Sequence, residues 1–110
     1  MTDASKPMVV HHQRAPYDVY IGRPSEWGNP FSHLPASAAE WRVATRDEAI
    51  RKYEEWLLAQ PELVERVRRE LRGKVLGCWC RPSDGFRGQL LCHGQILAGL
   101  ANDINPRSIE

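Results

Sequence analysis

Apolar residues near the start of the chain come in two short runs, MVVHH (Met8–His12) and DVYIGR (Asp18–Arg23). Short β-branched and aromatic runs closed by Gly22 and Pro24 predict strands. Periodicity then lapses. RPSEWGNPFSHLP (Arg23–Pro35) carries three prolines and reads as a loop, anchored by Trp27 and Phe31. At Thr45 the spacing becomes helical. TRDE forms a capping box, and Ile50, Tyr53, Trp56 and Leu57 recur on one face. Pro61 starts a second helix with Leu63, Val64, Val67 and Leu71 on its apolar side, and Gly73 closes it. KVLGCWC (Lys74–Cys80) predicts a buried strand. CHGQILAGLAN (Cys92–Asn102) predicts a last helix, with Ile96, Leu97 and Leu100 facing inward.

The element order is β-β-α-α-β-α, an α/β class. It predicts a short, mostly parallel three-stranded sheet packed with about three helices. A right-handed crossover makes the second and third strands parallel. The loops after Arg23 and after Cys80 then leave the same sheet edge, where open α/β sheets collect ligands. Residues 1–7 read as a flexible N-terminus, 8–104 as one domain and 105–110 as a tail.

Composition narrows the function classes. The chain has 110 residues, enough for one core, and 42% hydrophobic with 26% charged residues is globular. A net charge of +1 gives no global field for nucleic acid. Arg66, Arg68, Arg69 and Arg72 form a basic strip, but Glu65 and Glu70 interrupt it, so nucleic acid is a weakly supported partner. No run approaches the roughly 18 apolar residues of a membrane span, and no signal peptide is visible. The expectation is a cytoplasmic protein, not a membrane one, with reduced thiols.

The chemistry concentrates in LGCWCRPSDGFRGQLLCHGQIL (Leu76–Leu97), which holds all three cysteines and His93. Alternation on a strand puts Cys78 and Cys80 on one face and Trp79 on the other. Three readings stand. Cys78, Cys80, Cys92 and His93 match the composition of a Cys₃His zinc site, although C-x-C is tighter than usual zinc spacings. Alternatively Cys92, at a helix N-terminus, is a reactive thiol with His93 beside it as the catalytic pair. Or Cys78 and Cys80 are simply buried packing. Iron or haem is a further cofactor reading; the C-x-x-C-H attachment pattern is not matched.

GRPSEWGNPF supplies ligand-binding candidates: Gly22 for close backbone approach, Arg23 for an anionic group, Ser25 and Asn29 for hydrogen bonds, Trp27 for stacking. The competing reading is a self-supporting loop in which Trp27 and Phe31 plug the core edge. His11 and His12 form an isolated pair at a strand end, where surface histidines are common.

These two blocks, VYIGRPSEWGNPF and GKVLGCWC with CHGQIL, resemble the bacterial and phage family called domain of unknown function 4326, over roughly Val9 to Leu100. The resemblance marks Gly22, Arg23, Pro24, Trp27, Gly28, Asn29, Pro30 and Phe31, and then Cys78, Trp79, Cys80, Cys92 and His93. It imports no activity. Family members typically have a shorter stretch between the cysteine blocks, with proline where Leu91 stands, and aspartate where Gln95 stands. If that aspartate is catalytic, this chain has altered or lost the activity.

The functional expectation is a small enzyme or ligand-binding domain. Its pocket, between GRPSEWGNPF and the CWC…CH segment, takes a nucleotide- or nucleoside-like or other small anionic ligand. The alternatives are a zinc-stabilised structural or nucleic-acid-associated module, and a metal- or haem-dependent enzyme centred on the cysteines.

Overall fold

The computed structural model describes residues 8–23, 25–32, 41–82 and 85–109; the N-terminal segment 1–7 lies outside them. Five short strands and three helices run β1 (Val9–His11), β2 (Val19–Tyr20), β3 (Phe31–Ser32), β4 (Trp41–Arg42), α1 (Arg46–Leu58), α2 (Pro61–Glu70), β5 (Leu76–Cys78) and α3 (His93–Asn102). The expected α/β architecture and its β-β-α-α-β-α frame are present.

The main sheet has the order β1-β5-β2, with every pair parallel. β5 takes the centre because Leu76, Gly77 and Cys78 are all buried, as a strand covered on both faces must be. Gly77 leaves room there for Tyr17. A Cβ would lie 2.6 Å from the Tyr17 ring, which closes over one face of the sheet. α3 covers the other face, and its Gly94 meets Ile21 and Val9 so closely that a Cβ would lie 2.8 Å from Ile21 Cδ1 and 3.1 Å from Val9 Cγ1.

A second sheet, the parallel pair β3 and β4, lies within and beyond the segment that reads as loop. Two-residue strands give no periodicity to find in a sequence. Phe31 faces Trp41 across the pair, and their rings stack 5.0 Å apart.

α1 begins as TRDE predicts: Thr45 Oγ1 accepts from Glu48 N at 3.1 Å. The Glu48 carboxylate reaches back to Ala44 N at 3.3 Å, one residue before the cap. Ile50, Tyr53 and Leu57 are buried, and Trp56 packs partly against the same core. Val67 and Leu71 anchor α2. Gly73, with φ of 73°, turns the chain out of α2 through the left-handed region. α3 is buried nearly all round, with Leu97, Ala98 and Ala101 sealed. It is the central post of the domain more than an amphipathic cover.

Beyond α3, in the stretch set apart by sequence as a tail, Pro106–Ser108 forms a turn of 3-10 helix. Ile109, only 3% exposed, joins the core. Among the described residues no helix is long and apolar enough to cross a membrane.

Candidate ligand pocket and cysteine cluster

The two unusual loops do meet. Together with the first turns of α1 and α3 they line a pocket of about 440 Å³, within the range of small-molecule sites. Gly22, Arg23, Asn29, Phe31 and Ser32 come from the first loop and β3, and Arg46, Ala49 and Ile50 from α1. Trp79, Cys80, Leu91, Cys92 and His93 complete it from the second loop and α3. A hydrogen-bond chain ties the loops together: Trp79 Nε1 donates to Tyr20 Oη at 2.6 Å, and Tyr20 Oη donates to the Arg23 carbonyl at 3.1 Å. Gly22 permits this, since a Cβ there would run into the Tyr20 hydroxyl and lie 3.0 Å from Trp79.

Arg23 folds over the loop and donates Nη1 to the Asn29 carbonyl at 2.7 Å. Gly28 makes room, because a Cβ at that position would sit 3.1 Å from the Arg23 backbone. Asn29 itself works for the loop: Oδ1 accepts from Phe31 N at 2.8 Å and Nδ2 donates to the Ala49 carbonyl at 3.2 Å. Its side chain pins the first loop to α1, which gives it a structural task beside its place in the pocket wall.

Two of the expected ligand contacts are relocated. Trp27 is 5% exposed and does not line the pocket. It is a core plug whose carbonyl accepts from Tyr53 Oη at 2.9 Å and whose ring lies under the Arg66 guanidinium at 5.1 Å. The reason is the ordinary fate of a large ring in a loop, where burial outweighs presentation. The aromatic walls are instead Phe31 and Trp79, the latter 55% exposed. Ser25 likewise lies off the pocket, and its Oγ is buried with no hydrogen-bond partner among the described residues.

Besides the aromatic walls, Arg46 and Ser32 are polar pocket residues that sequence reasoning misses. Arg46 occupies the first helical position of α1, where a positive charge opposes the helix dipole. Its unfavourable place at a helix N-terminus is legible in the sequence, but the aim of α1 at the pocket is not. The basic strip on α2, by contrast, is neutralised: Arg66 pairs with Glu26 and Glu70, Arg68 and Arg72 with Asp103, and Arg69 with Glu65 and Glu70. His11 and His12 stack on one another and pack around Trp79, whose ring centroid is 4.0 Å from that of His12.

At the pocket floor the sulfurs of Cys78, Cys80 and Cys92 lie within 4.8 Å of one another. In place of three free thiols, Cys80 and Cys92 form a disulfide with a Cα–Cα distance of 5.5 Å, well inside the range that spans without backbone movement. Cys78 is free and fully buried, its Sγ 3.2 Å from that of Cys92. Burial pushes the Cys78 thiol up, while hydrogen bonds from the backbone N–H groups of Cys80 and Arg81 and the charge of Arg81 pull the other way.

His93 is not part of the sulfur cluster, so a four-ligand Cys₃His set is not assembled. Its Nε2 donates to the Ile21 carbonyl at 2.7 Å, and its ring stands edge-on to Tyr53. Burial is the main cause that lowers its pKa to about 4; the Ile21 hydrogen bond opposes this and Arg23 adds to it. The ring is therefore neutral at pH 7. With the proton on Nε2, Nδ1 carries the lone pair.

Cys92 is the N-cap of α3. Its Sγ accepts from Gly94 N at 3.3 Å, and Gln95 answers from the third helical position. Gln95 Oε1 accepts from Leu91 N at 2.7 Å and Cys92 N at 3.0 Å, and Nε2 donates to the Gln89 carbonyl at 2.8 Å and the Pro106 carbonyl at 3.3 Å. This residue, where the resemblance leads one to expect aspartate, is a buried clamp with every hydrogen bond directed at backbone.

Fold and site together define a small α/β domain with a cation-rimmed pocket above a cysteine cluster. The chain belongs to the family described as domain of unknown function (DUF4326), whose model matches residues 8–103. It is also similar to the "Uncharacterized 12.4 kDa protein in nrdA-td intergenic region" of Enterobacteria phage T4, at 29% identity over 94 residues covering 86% of this chain and 76% of the phage protein. No solved structure matches it.

Proposed function

We propose that this domain binds a small anionic ligand of nucleotide or nucleoside-phosphate type in the pocket between its two loops, and that Cys92 and His93 meet the ligand's reacting end. The observation that carries the reading is one of charge placement. Arg23 and Arg46 both line the pocket, no carboxylate among the described residues does, and the first turns of α1 and α3 converge on it. Guanidinium forks and helix N-termini both favour phosphate or carboxylate.

The walls fit the other half of such a ligand. Phe31 and Trp79 offer aromatic faces and Ala49, Ile50 and Leu91 apolar ones, suited to a base or sugar. His93, neutral and oriented by the Ile21 carbonyl, supplies a proton acceptor rather than a cation. Cys92 acts as a nucleophile only in the reduced form, once its bond to Cys80 is open. A cytoplasmic setting, which keeps thiols reduced, belongs to this reading.

Isothermal titration with the four common nucleoside 5′-monophosphates, the matching nucleosides and inorganic phosphate tests it. At least one monophosphate should bind more tightly than its nucleoside and than phosphate alone. Arg46→Glu should weaken that binding roughly tenfold or more, as loss of a charge-assisted contact implies, with a melting temperature no lower than the parent's, since a carboxylate in the first turn complements the helix dipole. Absence of binding by every monophosphate, or equal binding by the variant, overturns the reading.

A further inference from the structure

We propose that Cys78, Cys80 and Cys92, once the Cys80–Cys92 bond is reduced, form a three-thiolate site for one zinc-like divalent cation, with its fourth coordination position open to the pocket. The geometry is close to that of a tetrahedral site. Metal–sulfur bonds of about 2.3 Å place neighbouring sulfurs about 3.8 Å apart, and the three sulfurs here all lie within 4.8 Å of one another. Cys78 ends β5, Cys80 lies two residues beyond it and Cys92 caps α3, so two of the three sulfurs are placed by regular structure before any metal binds.

A second observation concerns what surrounds the sulfurs. Gly94 N, in the first turn of α3, donates to Cys92 Sγ at 3.3 Å. That donor and the N-terminus of α3 favour the thiolate of Cys92, the form in which a cysteine binds a metal. Arg81 adds a cation beside Cys78 while it holds the Val9 carbonyl at 3.0 Å, fixed in place across the sheet.

The open position follows from exposure. Cys80 and Cys92 line the pocket, whereas Cys78 is sealed beneath them. His93, tied to Ile21, does not close the fourth site. Three protein ligands and one open position are the arrangement of a metal that acts on a bound molecule, in contrast to the closed four-ligand sets of structural zinc.

Entry balances chemically. A water-soluble phosphine takes up the oxygen of one water as phosphine oxide. Its two electrons, with the two protons of that water, convert the Cys80–Cys92 disulfide into two thiols. The cation then displaces one proton from each of the three sulfurs to solvent.

The test is anaerobic titration of the phosphine-reduced protein with cobalt(II), followed by zinc(II). One equivalent of cobalt should produce a sulfur-to-metal charge-transfer band and the intense visible bands of four-coordinate cobalt, and zinc should abolish both. Cys80→Ser, at the half-buried member of the set, should lose most of the charge-transfer intensity while its circular dichroism stays that of the parent. X-ray absorption of the zinc-loaded parent should count three sulfur neighbours, a readout that needs no variant. A reduced and folded protein without the band, an unchanged band in Cys80→Ser, or fewer than three sulfurs around zinc overturns the proposal.

Discussion

Gln95 Oε1 lies 3.0 Å from the backbone nitrogen of Cys92, so the residue that caps α3 is itself held by a side chain one turn further on. The same amide reaches Leu91 N, Gln89 O and Pro106 O. One fully buried side chain therefore fixes the approach to α3, the sulfur it carries and the chain segment that follows the helix.

Gln95→Ala should cost about 2–4 kcal/mol, because it orphans buried backbone groups that water cannot reach. Urea unfolding measures this. A loss below about 0.5 kcal/mol, the level of an ordinary surface change, would show that solvent replaces the amide.

Gln95→Glu separates the two ends of the clamp. The acceptor survives, but a carboxylate oxygen then confronts the Gln89 and Pro106 carbonyls. Burial against two acceptors raises the folded-state pKa of this carboxyl above its unfolded value of about 4.3. The folded state then binds the proton more tightly, so the variant's deficit is largest at neutral pH and shrinks as pH falls through the raised pKa. Melting temperatures of variant and parent, compared at matched pH from 7 to 5, should converge. A constant gap contradicts the assignment.

Gly94→Ala tests how closely α3 must approach the sheet. The added Cβ meets Ile21 and Val9, both fully buried, and neither can swing into solvent. Overpacking of this kind costs about 1–3 kcal/mol. The displacement should also be visible at Cys92, as a changed rate of disulfide reduction. Unchanged stability and reduction would mean that the sheet yields freely.

His93→Phe keeps the ring's volume in the core but leaves the Ile21 carbonyl without its donor, for a loss of about 1–3 kcal/mol. His93→Gln, which can still donate, should recover part of it. Calorimetric melting of the pair decides. Equal destabilisation by both would assign His93 a packing role alone.

Tyr53→Phe removes the hydroxyl that donates to the Trp27 carbonyl at 2.9 Å and so fastens the first loop to α1. The expected cost is about 1–2 kcal/mol, with amide exchange at Gly28, whose N–H bonds the Ser25 carbonyl at 3.0 Å, accelerated along with it. Exchange that stays at the parent's rate would show the loop to be self-supporting.

What the sequence alone determined is local in origin. Thr45 and Glu48 mark the start of α1, Pro61 and Gly73 bound α2, and the apolar run before Cys78 marks the central strand, because caps, turns and periodicity act over a few residues. The parallel pairing of β2 with β5 followed from chirality, and with it the meeting of the two loops. Tertiary structure decided the rest. Trp27 looked like a stacking face in a polar loop, yet α1 and Arg66 bury it, and Trp79 and Phe31 take the pocket walls. Arg46 entered the pocket because α1 is aimed at it, which no local pattern encodes. His93, adjacent to Cys92 in the chain, is drawn away from the sulfurs by the Ile21 carbonyl, whereas Cys78 and Cys92 meet at 3.2 Å across the sheet–helix contact. Neighbours in sequence part and distant residues join because burial and hydrogen bonding act on the packed chain, after the local rules have set only its pieces.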